Sequence, residues 1–429
     1  MEILFYSENF RGAPNGWTPV DNATFLVGEN STGKSSFGML GEIVLSSSFI
    51  TSSGCSDVIK RLDSFDDFWS KMSGAKSQDA IFTIGILWRA ENNKTFGKVV
   101  SYYNDNGDVR AHSVSIIRGA KIRKVFRVEN SLYKIERTAK KTVRLQALAN
   151  QLVSFHEQAN DDADVIIDGD KEERTKYPAL LLTLIAEQEI TKETESATLS
   201  FTPDSFPFGA KIHSFGPMRS KPERVHMVGK NEFDSEGATT ITRLKKSLSE
   251  GRFYNSLKKF GKASGLYDDI KVVDITKQIG RNSFVIKFTK TGIDFFPDEL
   301  GYGLSQVMPL ITDTLMRSKA SFVIIQQPEL HLHPKAQAAF GDVLFEYANK
   351  GGFFLVETHS DFVIDRYRLG MAKSRKKNKP KSQVLFFYSG QKANRHDCIK
   401  IADDGAYINP KPRFRDFFLK EQMRVLDAL

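Results

Sequence analysis

The chain has 429 residues, 40% of them hydrophobic and 26% charged, an ordinary globular balance that excludes a fibrous or low-complexity protein. No run approaches the roughly 18 apolar residues of a membrane span, and Met1-Glu2-Ile3-Leu4-Phe5-Tyr6-Ser7-Glu8 lacks the basic start and apolar core of a signal peptide. The net charge of +9 is compatible with an anionic partner without naming one. Cys55 and Cys398 form no C-x-x-C pair, which excludes a zinc ribbon or hook and favours a reducing cytoplasm.

Residues 1–27 read as a β-rich opening, with Phe5, Phe10, Trp17, Phe25 and Leu26 set between Gly and Pro turns. Its last run, Thr24-Phe25-Leu26-Val27, is a buried strand. Gly28-Glu29-Asn30-Ser31-Thr32-Gly33-Lys34-Ser35 follows, and then apolar residues at helical spacing over 36–50. Strand, glycine-rich loop and helix are the setting in which G-x-x-x-x-G-K-[ST] cradles phosphate. Gly28 and Gly33 let the backbone curl so that N–H groups converge on anionic oxygens. The helix start adds partial positive charge. Lys34 is suited to the β- and γ-phosphates and the Ser35 hydroxyl to Mg²⁺. Asn30, Ser31, Thr32 and Ser36 complete the cradle.

Residues 55–80 mix helix and loop. Strands follow at 80–88, 98–103 and 113–118, with Asn104-Asp105-Asn106-Gly107-Asp108 as turn chemistry between the last two. A further pair, 124–128 and 131–135, turns at Glu129-Asn130. Together they read as an antiparallel sheet inserted after the first helix. Val143, Leu145, Leu148, Leu152 and Phe155 share one helical face. The polar stretch Ala159 to Arg174 reads as a loop and Tyr177 to Ile190 as a helix, so 139–205 is expected to be an inserted helical lobe. Ile241 to Phe260 reads as one basic amphipathic helix, and Phe284 to Phe288 as a strand. No internal repeat and no long heptad run occurs.

In the last third, Ser321-Phe322-Val323-Ile324-Ile325 is a core strand ending in Gln326-Gln327-Pro328-Glu329-Leu330-His331-Leu332-His333-Pro334. A second strand, Gly352-Phe353-Phe354-Leu355-Val356, ends in Glu357-Thr358-His359-Ser360. Polar groups at the carboxyl ends of parallel strands sit where α/β sheets bind ligands. Upstream, Asp298-Glu299-Leu300-Gly301-Tyr302-Gly303-Leu304-Ser305-Gln306 precedes a helix from Val307 to Met316. It reads as a Gly-rich turn with Ser305 at the helix N-cap, a second anion site.

The order of these motifs resembles the ABC-type ATPases, more narrowly the bacterial ATPases related to RecF, SMC heads and the ATPase part of OLD-family proteins. His213-Ser214-Phe215-Gly216-Pro217-Met218-Arg219 with Arg224 and Glu236-Gly237 is similar to that group. So is Asp404-Gly405 with Pro410, Phe414 and Phe417-Phe418. The resemblance implies an α/β ABC-type ATPase head, a P-loop NTPase with an inserted antiparallel β-sheet and an inserted helical lobe. It divides as 1–138, 139–205 and 206–429. The implied cofactors are ATP and Mg²⁺. Gly303, Ser305 and Gln306 would form the signature motif that closes on a nucleotide held by a second subunit. His359 would be the switch histidine at the γ-phosphate, and Phe10 and Arg11 would contact base or ribose. The implied partners are a second head in a homodimer, or a higher oligomer, with no membrane. By analogy with ATPase subunits of phage-defence systems such as PARIS, Septu and retron-associated operons, a separate nuclease or toxin would be the effector. DNA, RNA or a phage protein would be the trigger. The alternatives are a RecF-type repair ATPase acting directly on DNA, or a low-turnover scaffold holding a toxin.

One departure stands out. The family places carboxylates where this chain has Gln326, the metal-side position, and Gln327, the position of the catalytic base. An amide neither takes a proton nor offers negative charge to Mg²⁺. Three readings stay open: Glu329 acts as base with Gln326 as a neutral ligand, the enzyme turns over slowly, or a Glu-to-Gln change traps the ATP state. His331 and His333 lack the further ligands of a zinc site. No nuclease constellation is visible, and the stretch after His359 is short for a Toprim domain. Basic clusters at Arg375-Lys376-Lys377-Asn378-Lys379-Pro380-Lys381, at Arg118 to Arg127 and at Arg137 to Arg144 read first as solvated faces.

Overall fold

The computed structural model describes residues 1–52, 67–70, 80–91, 93–106, 108–128, 131–140, 144–158, 164–167, 212–217, 224, 226–227, 240–249, 251, 253–276, 283–317, 321–391, 393–414, 416, 423–424 and 426–427. The chain divides into two units. One takes Met1–Val20, Glu29–Ile212 and Tyr388–Arg395; the other takes Asp21–Gly28, His213–Phe387 and His396–Leu429. The expected helix over 177–190, the turn at Glu129-Asn130, most of 55–80, and Met218, Arg219, Glu236, Gly237, Phe417 and Phe418 lie outside the described residues.

The first unit is built on strands β1 (Glu2–Glu8) and β2 (Gly16–Val20). After the segment β3 (Ala23–Gly28), which belongs to the second unit, come helices α1 (Lys34–Val44) and α2 (Ser47–Ser52). The single helix expected over 36–50 is thus two. Strands β4 (Ile81–Arg89), β5 (Thr95–Asp105), β6 (Asp108–Arg118), β7 (Lys121–Val128) and β8 (Ser131–Thr138) are followed by α3 (Leu145–Glu157) and β9 (Asp164–Ile167). Among the described residues, eight strands of this unit pair antiparallel, in the order β2-β1-β4-β5-β6-β7-β8-β9. Residues 164–167, expected within a loop, are the edge strand. The β5–β6 hairpin closes where Asn106 takes φ 55, a conformation Asn tolerates better than most residues.

Alternation explains why β1 is apolar on both sides. Leu4 and Tyr6 join Leu87, Val99, Ile117 and Ile122 against Leu145, Leu148, Leu152 and Phe155 of α3. Phe5 faces the other way, with its ring 5.9 Å from Phe37 of α1. On that side Lys98 is fully buried, and its ammonium donates to the Phe49 and Ile50 carbonyls of α2, at 2.8 and 2.9 Å. A cation at a helix's last carbonyls is favourable. His156 on α3 is held by three hydroxyls: Nε2 lies 2.7 Å from Ser101 and 3.3 Å from Ser113, and Nδ1 lies 2.8 Å from Ser115. Burial first, then Lys124 and His112, pushes His156 down to about 3.

The second unit continues with β10 (Ile212–Phe215), β11 (His226–Met227), α4 (Thr240–Ser249), α5 (Tyr254–Ser264), β12 (Asp269–Asp274), β13 (Ser283–Lys290) and β14 (Ile293–Phe295). The helix expected from 241 to 260 breaks where Gly251 takes φ 68 and Phe253 φ 59. Then come α6 (Tyr302–Met316), β15 (Phe322–Gln326), α7 (Pro334–Asn349), β16 (Phe353–Glu357), α8 (Asp361–Lys373), β17 (Ser382–Tyr388), β18 (Arg395–Ile401) and β19 (Tyr407–Ile408). The main sheet runs β10-β15-β16-β3-β17-β18-β19, and β15, β16, β3 and β17 pair parallel. Their β-branched and aromatic runs are buried on both faces, as parallel strands require. A small antiparallel sheet of β11, β13, β12 and β14 shares the same core. Inside it, fully buried Asp313 lies between Arg243 and Arg317, whose guanidinium also donates to His213 Nε2. Burial and these two arginines hold His213 down to about 3. Among the described residues no helix is long and apolar enough to cross a membrane.

The His156 pocket has a pH signature. Its imidazole is neutral when folded and titrates near 6.5 when unfolded, so its stabilisation is complete above that value and is lost as pH falls toward 3. By pH 5 the loss is about 2 kcal/mol. Urea unfolding of the first unit at pH 7 and pH 5 should show this loss, and His156→Gln should flatten it. Equal pH dependence in both proteins would contradict the assignment.

Candidate functional site

The phosphate loop starts at the end of β3. Gly28 has φ 142, and a Cβ there would lie 2.0 Å from the Phe387 carbonyl oxygen. Gly33 has φ 94, and a Cβ there would lie 1.8 Å from the Gly12 oxygen. Only glycine meets both demands. Between them, Thr32 is buried and donates to the Glu29 carbonyl at 2.7 Å. Lys34 is 4% exposed, and its ammonium folds back to donate to that same carbonyl. Glu29, Asn30, Ser31 and Ser35 are exposed, and Ser31 takes φ 60. Helix α1 begins directly at Lys34 with left-handed Gly33 as its cap, and among the described residues no side chain caps it. The loop is buttressed from behind. The Gly12 N–H donates to Ser36 Oγ at 3.3 Å, and Asn394 donates to the Gly12 carbonyl at 2.8 Å. Asn394 was invisible to sequence reasoning because its partner lies 382 residues away.

Phe10 and Arg11 fare differently from expectation. The Phe10 ring is fully buried, 5.8 Å from Phe82 and 6.5 Å from Phe68, so it is core and offers no face to a base. Arg11 is half-buried. It donates from Nη1 to the Asp67 carbonyl at 2.6 Å, and its backbone N–H donates to Phe68 at 2.9 Å. Burial lowers its pKa, opposed by the Asp67 carboxylate.

In the second unit the carboxyl ends of three parallel strands line up. Gln326 of β15 pairs in register with Glu357 of β16, and Glu357 with Leu26 of β3. Gln326 and Gln327 are half-buried. Gln327 turns through φ 45, and its N–H donates to the Glu357 carbonyl at 2.8 Å. Glu329 is engaged at both oxygens. Thr358 Oγ1 donates to one at 2.8 Å and the His359 N–H to the other at 2.7 Å. Its carboxylate therefore holds the turn that presents His359, which is exposed; to act as a base it would have to release one of these donors. Ser360 then caps α8, its Oγ accepting from Val363 N–H at 3.3 Å. His333 caps α7, its Nδ1 accepting from Lys335 N–H at 3.2 Å. Among the described residues no group of three or more His, Cys, Asp or Glu is arranged to hold a metal ion.

The glycine-rich turn is corrected in one respect. Helix α6 starts at Tyr302 with Gly301 as its cap, so Ser305 lies within the first turn and is not the N-cap. Ser305 is nearly buried and donates to the Tyr302 carbonyl at 2.6 Å. Gln306 is 2% exposed, an interior side chain with no surface to offer a ligand. A Cβ on Gly303 would lie 2.4 Å from the His331 carbonyl oxygen, so the turn and the loop after β15 touch backbone to backbone. Above that contact the rings of Tyr302 and His331 meet edge to face at 4.9 Å, both exposed. Tyr302 was not singled out from the sequence; an aromatic between two glycines at a helix start was the available signal.

The Ser35 hydroxyl is a hard oxygen donor of the kind Mg²⁺ takes, and a nucleotide-bound Mg²⁺ keeps phosphate and water as most of its shell.

The Glu329 clamp is open to direct measurement. Glu329→Gln places an NH₂ group where an oxygen accepts, and loss of one such bond costs about 1–3 kcal/mol. Hydrogen exchange at the His359 amide should quicken by about tenfold or more. Unchanged exchange there would show that the clamp does not hold the turn.

Comparison with known proteins agrees with this geometry. An AAA ATPase domain family model matches residues 5–364. The OLD nuclease of Thermus scotoductus is 26% identical over 138 residues, spanning 31% of this chain and 24% of that protein. This chain thus aligns with about a quarter of that relative's length. Among solved structures, an SMC head bound to the C-winged helix domain of ScpA is similar at 12% identity and a TM-score of 0.45, covering 93% of this chain and 97% of that one. The SMC head domain from Thermotoga maritima is similar at 10% identity and a TM-score of 0.41, covering 93% and 99%. With most of its length matched by the family model, the chain belongs to the AAA ATPase domain family, and its second unit is built on a largely parallel α/β sheet.

Proposed function

We propose that the chain binds Mg-ATP at Gly28–Ser35 and hydrolyses it slowly, in a site completed by Ser305 of a second copy. Its nucleotide state would then govern a separate effector, a nuclease or toxin, in bacterial antiviral defence. The observation that carries the reading is the construction of the loop: two glycines pressed on carbonyls, a buried lysine folded across it, and an uncapped helix start. That arrangement suits a polyphosphate, whose charge is spread over several oxygens. The defence role rests on family analogy and on the name of the Thermus relative.

Within this reading Lys34 neutralises charge on the β- and γ-phosphates, and the loop N–H groups orient them. Mg²⁺ would supply further charge neutralisation on the phosphates, with Ser35 and, on the family pattern, Gln326 as the residues that would hold it. His359, exposed on the turn held by Glu329, would serve as the family's switch histidine toward the γ-phosphate. Gln327 cannot remove a proton, but its amide can orient water through one donor and one acceptor. Turnover is accordingly low, and the bound state is long-lived. The exposed Tyr302–His331 pair beside Ser305 would meet the second copy.

Two variants separate the parts. Lys34→Ala should weaken ATP binding about a hundredfold or more, read by fluorescent-nucleotide titration; unchanged affinity would remove the phosphate-loop assignment. Ser305→Arg should leave monomer binding within about threefold and abolish ATP-driven dimerisation in light scattering, since an unpaired charge at an interface is strongly disfavoured. Persistent ATP-dependent assembly would contradict the two-copy site.

A further inference from the structure

We propose that the face made by α5, α7 and α8 docks an acidic amphipathic helix of a partner protein. All three helices lie in the second unit. The face includes no residue assigned to nucleotide, so the proposal does not rest on the ATP reading. Between the helices runs a cleft of about 410 Å³, floored by Phe260 and Ala263 of α5, Ala339, Val343 and Phe345 of α7, and Gly370 of α8. Helices α7 and α8 approach closely because Gly341 and Gly370 have no side chain. A Cβ on Gly341 would lie 2.4 Å from the Val363 carbonyl oxygen, and one on Gly370 would lie 2.6 Å from the Phe345 ring. Phe345 therefore lies against α8 and stays half-buried in the cleft. Alongside, Phe362, Arg366, Leu369 and Lys373 recur at the spacing of one face of α8, about three turns long. Phe362 is 54% exposed and Leu369 41% exposed. Large apolar side chains left in water beside an apolar cleft and rimmed by polar groups mark a protein-binding surface.

Charge gives the partner's chemistry. The two acids of the cleft are occupied. Asp342 pairs with Arg366 at 3.2 Å, and Glu346 pairs with Lys350 at 2.6 Å and accepts from Ser256 at 3.2 Å. The two lysines of the cleft are not: Lys259 and Lys373 are exposed and make no ion pair or hydrogen bond among the described residues. Burial raises the pKa of the Asp342 carboxyl, and Arg366, Lys259 and Lys373 oppose that shift, so both lysines lie within electrostatic range of the cleft. The rim is basic too. Lys376 donates to the carbonyl of Asn349, a lining residue, at 2.6 Å, and Arg375 and Lys377 beside it are exposed. Asp365 of α8 is spent on Arg368 at 2.8 Å. The charge left over is positive. A helix with Leu or Phe on one stripe and Glu or Asp beside it would cover Phe362 and Leu369, enter the cleft and pair with Lys259 and Lys373. A nucleic-acid backbone would engage the lysines and leave the two apolar side chains in water.

The test selects displayed random peptides of about 15 residues, a length that spans the face as a helix, on the full chain. Those also retained by a Phe362→Ser/Leu369→Ser double variant are discarded. The survivors should be acidic, with apolar residues at helical spacing. A labelled synthetic copy, read by fluorescence anisotropy, should bind the unaltered chain. It should lose about tenfold or more in affinity for the double variant and, separately, for Lys259→Glu/Lys373→Glu. All four side chains are exposed, so both variants should keep the thermal midpoint of the unaltered chain. No surviving peptide, or one that the lysine variant binds equally well, overturns the proposal. Duplex DNA whose binding falls in the lysine variant alone also overturns it, in favour of a nucleic-acid surface. Nucleotide-free self-association in light scattering that Phe362→Ser/Leu369→Ser abolishes overturns it as well, and makes the occupant a second copy.

Discussion

Parallel pairing of β16 between β15 and β3 is the constraint on which the second unit depends. It sets Gln326, Glu357 and Leu26 abreast, and so decides which polar groups emerge at one edge of the sheet. The loops beyond that edge are then tied to one another by short polar contacts. Gln327 hangs from the Glu357 carbonyl, Glu329 grips Thr358 and His359, and Ser360 donates to Gln337 at 2.6 Å. The signature turn joins the same assembly through the close approach of Gly303 to His331.

Much of this was legible in the residues. The glycine-rich loop stood out because strand, glycines and helix follow one another in adjacent positions, whereas the Phe387 and Gly12 carbonyls that press on Gly28 and Gly33 lie elsewhere in the chain. The strands at 81–89, 322–326 and 353–357 were equally plain from β-branched and aromatic runs. Spacing misled where a helix pattern continued through a break. Apolar residues on both sides of Gly251 kept helical phase, yet the chain turns there. Ser305 looked like a cap because serine before an apolar run usually is one; Gly301 took that place, and helix α6 began four residues earlier than a cap at Ser305 implies.

Other features depend on distant partners and have no local signature. Phe10 read as a ligand contact on resemblance, and the structure spends it on packing against Phe68 and Phe82. Glu329, one of three open readings for the base, has both carboxylate oxygens engaged by Thr358 and His359. Glu357 was quoted only as part of a motif, because its neighbour across the sheet lies 31 positions away and register cannot be read from one strand. Carboxylates in this site are thus sorted by what holds them, and composition alone cannot do that sorting.

The division of the chain has a consequence for its synthesis. Residues 21–28 leave the first unit after twenty residues and become a central strand of the second. Their partners on either side, β16 and β17, are made more than three hundred positions later. The Thr24–Gln383 hydrogen bond closes across 359 residues and the Asp21–Lys400 pair across 379. During translation β3 therefore waits as an unpaired apolar strand. Such long closures slow folding, and exposed strand edges invite association. A nascent chain therefore carries β3 long before the strands that flank it exist.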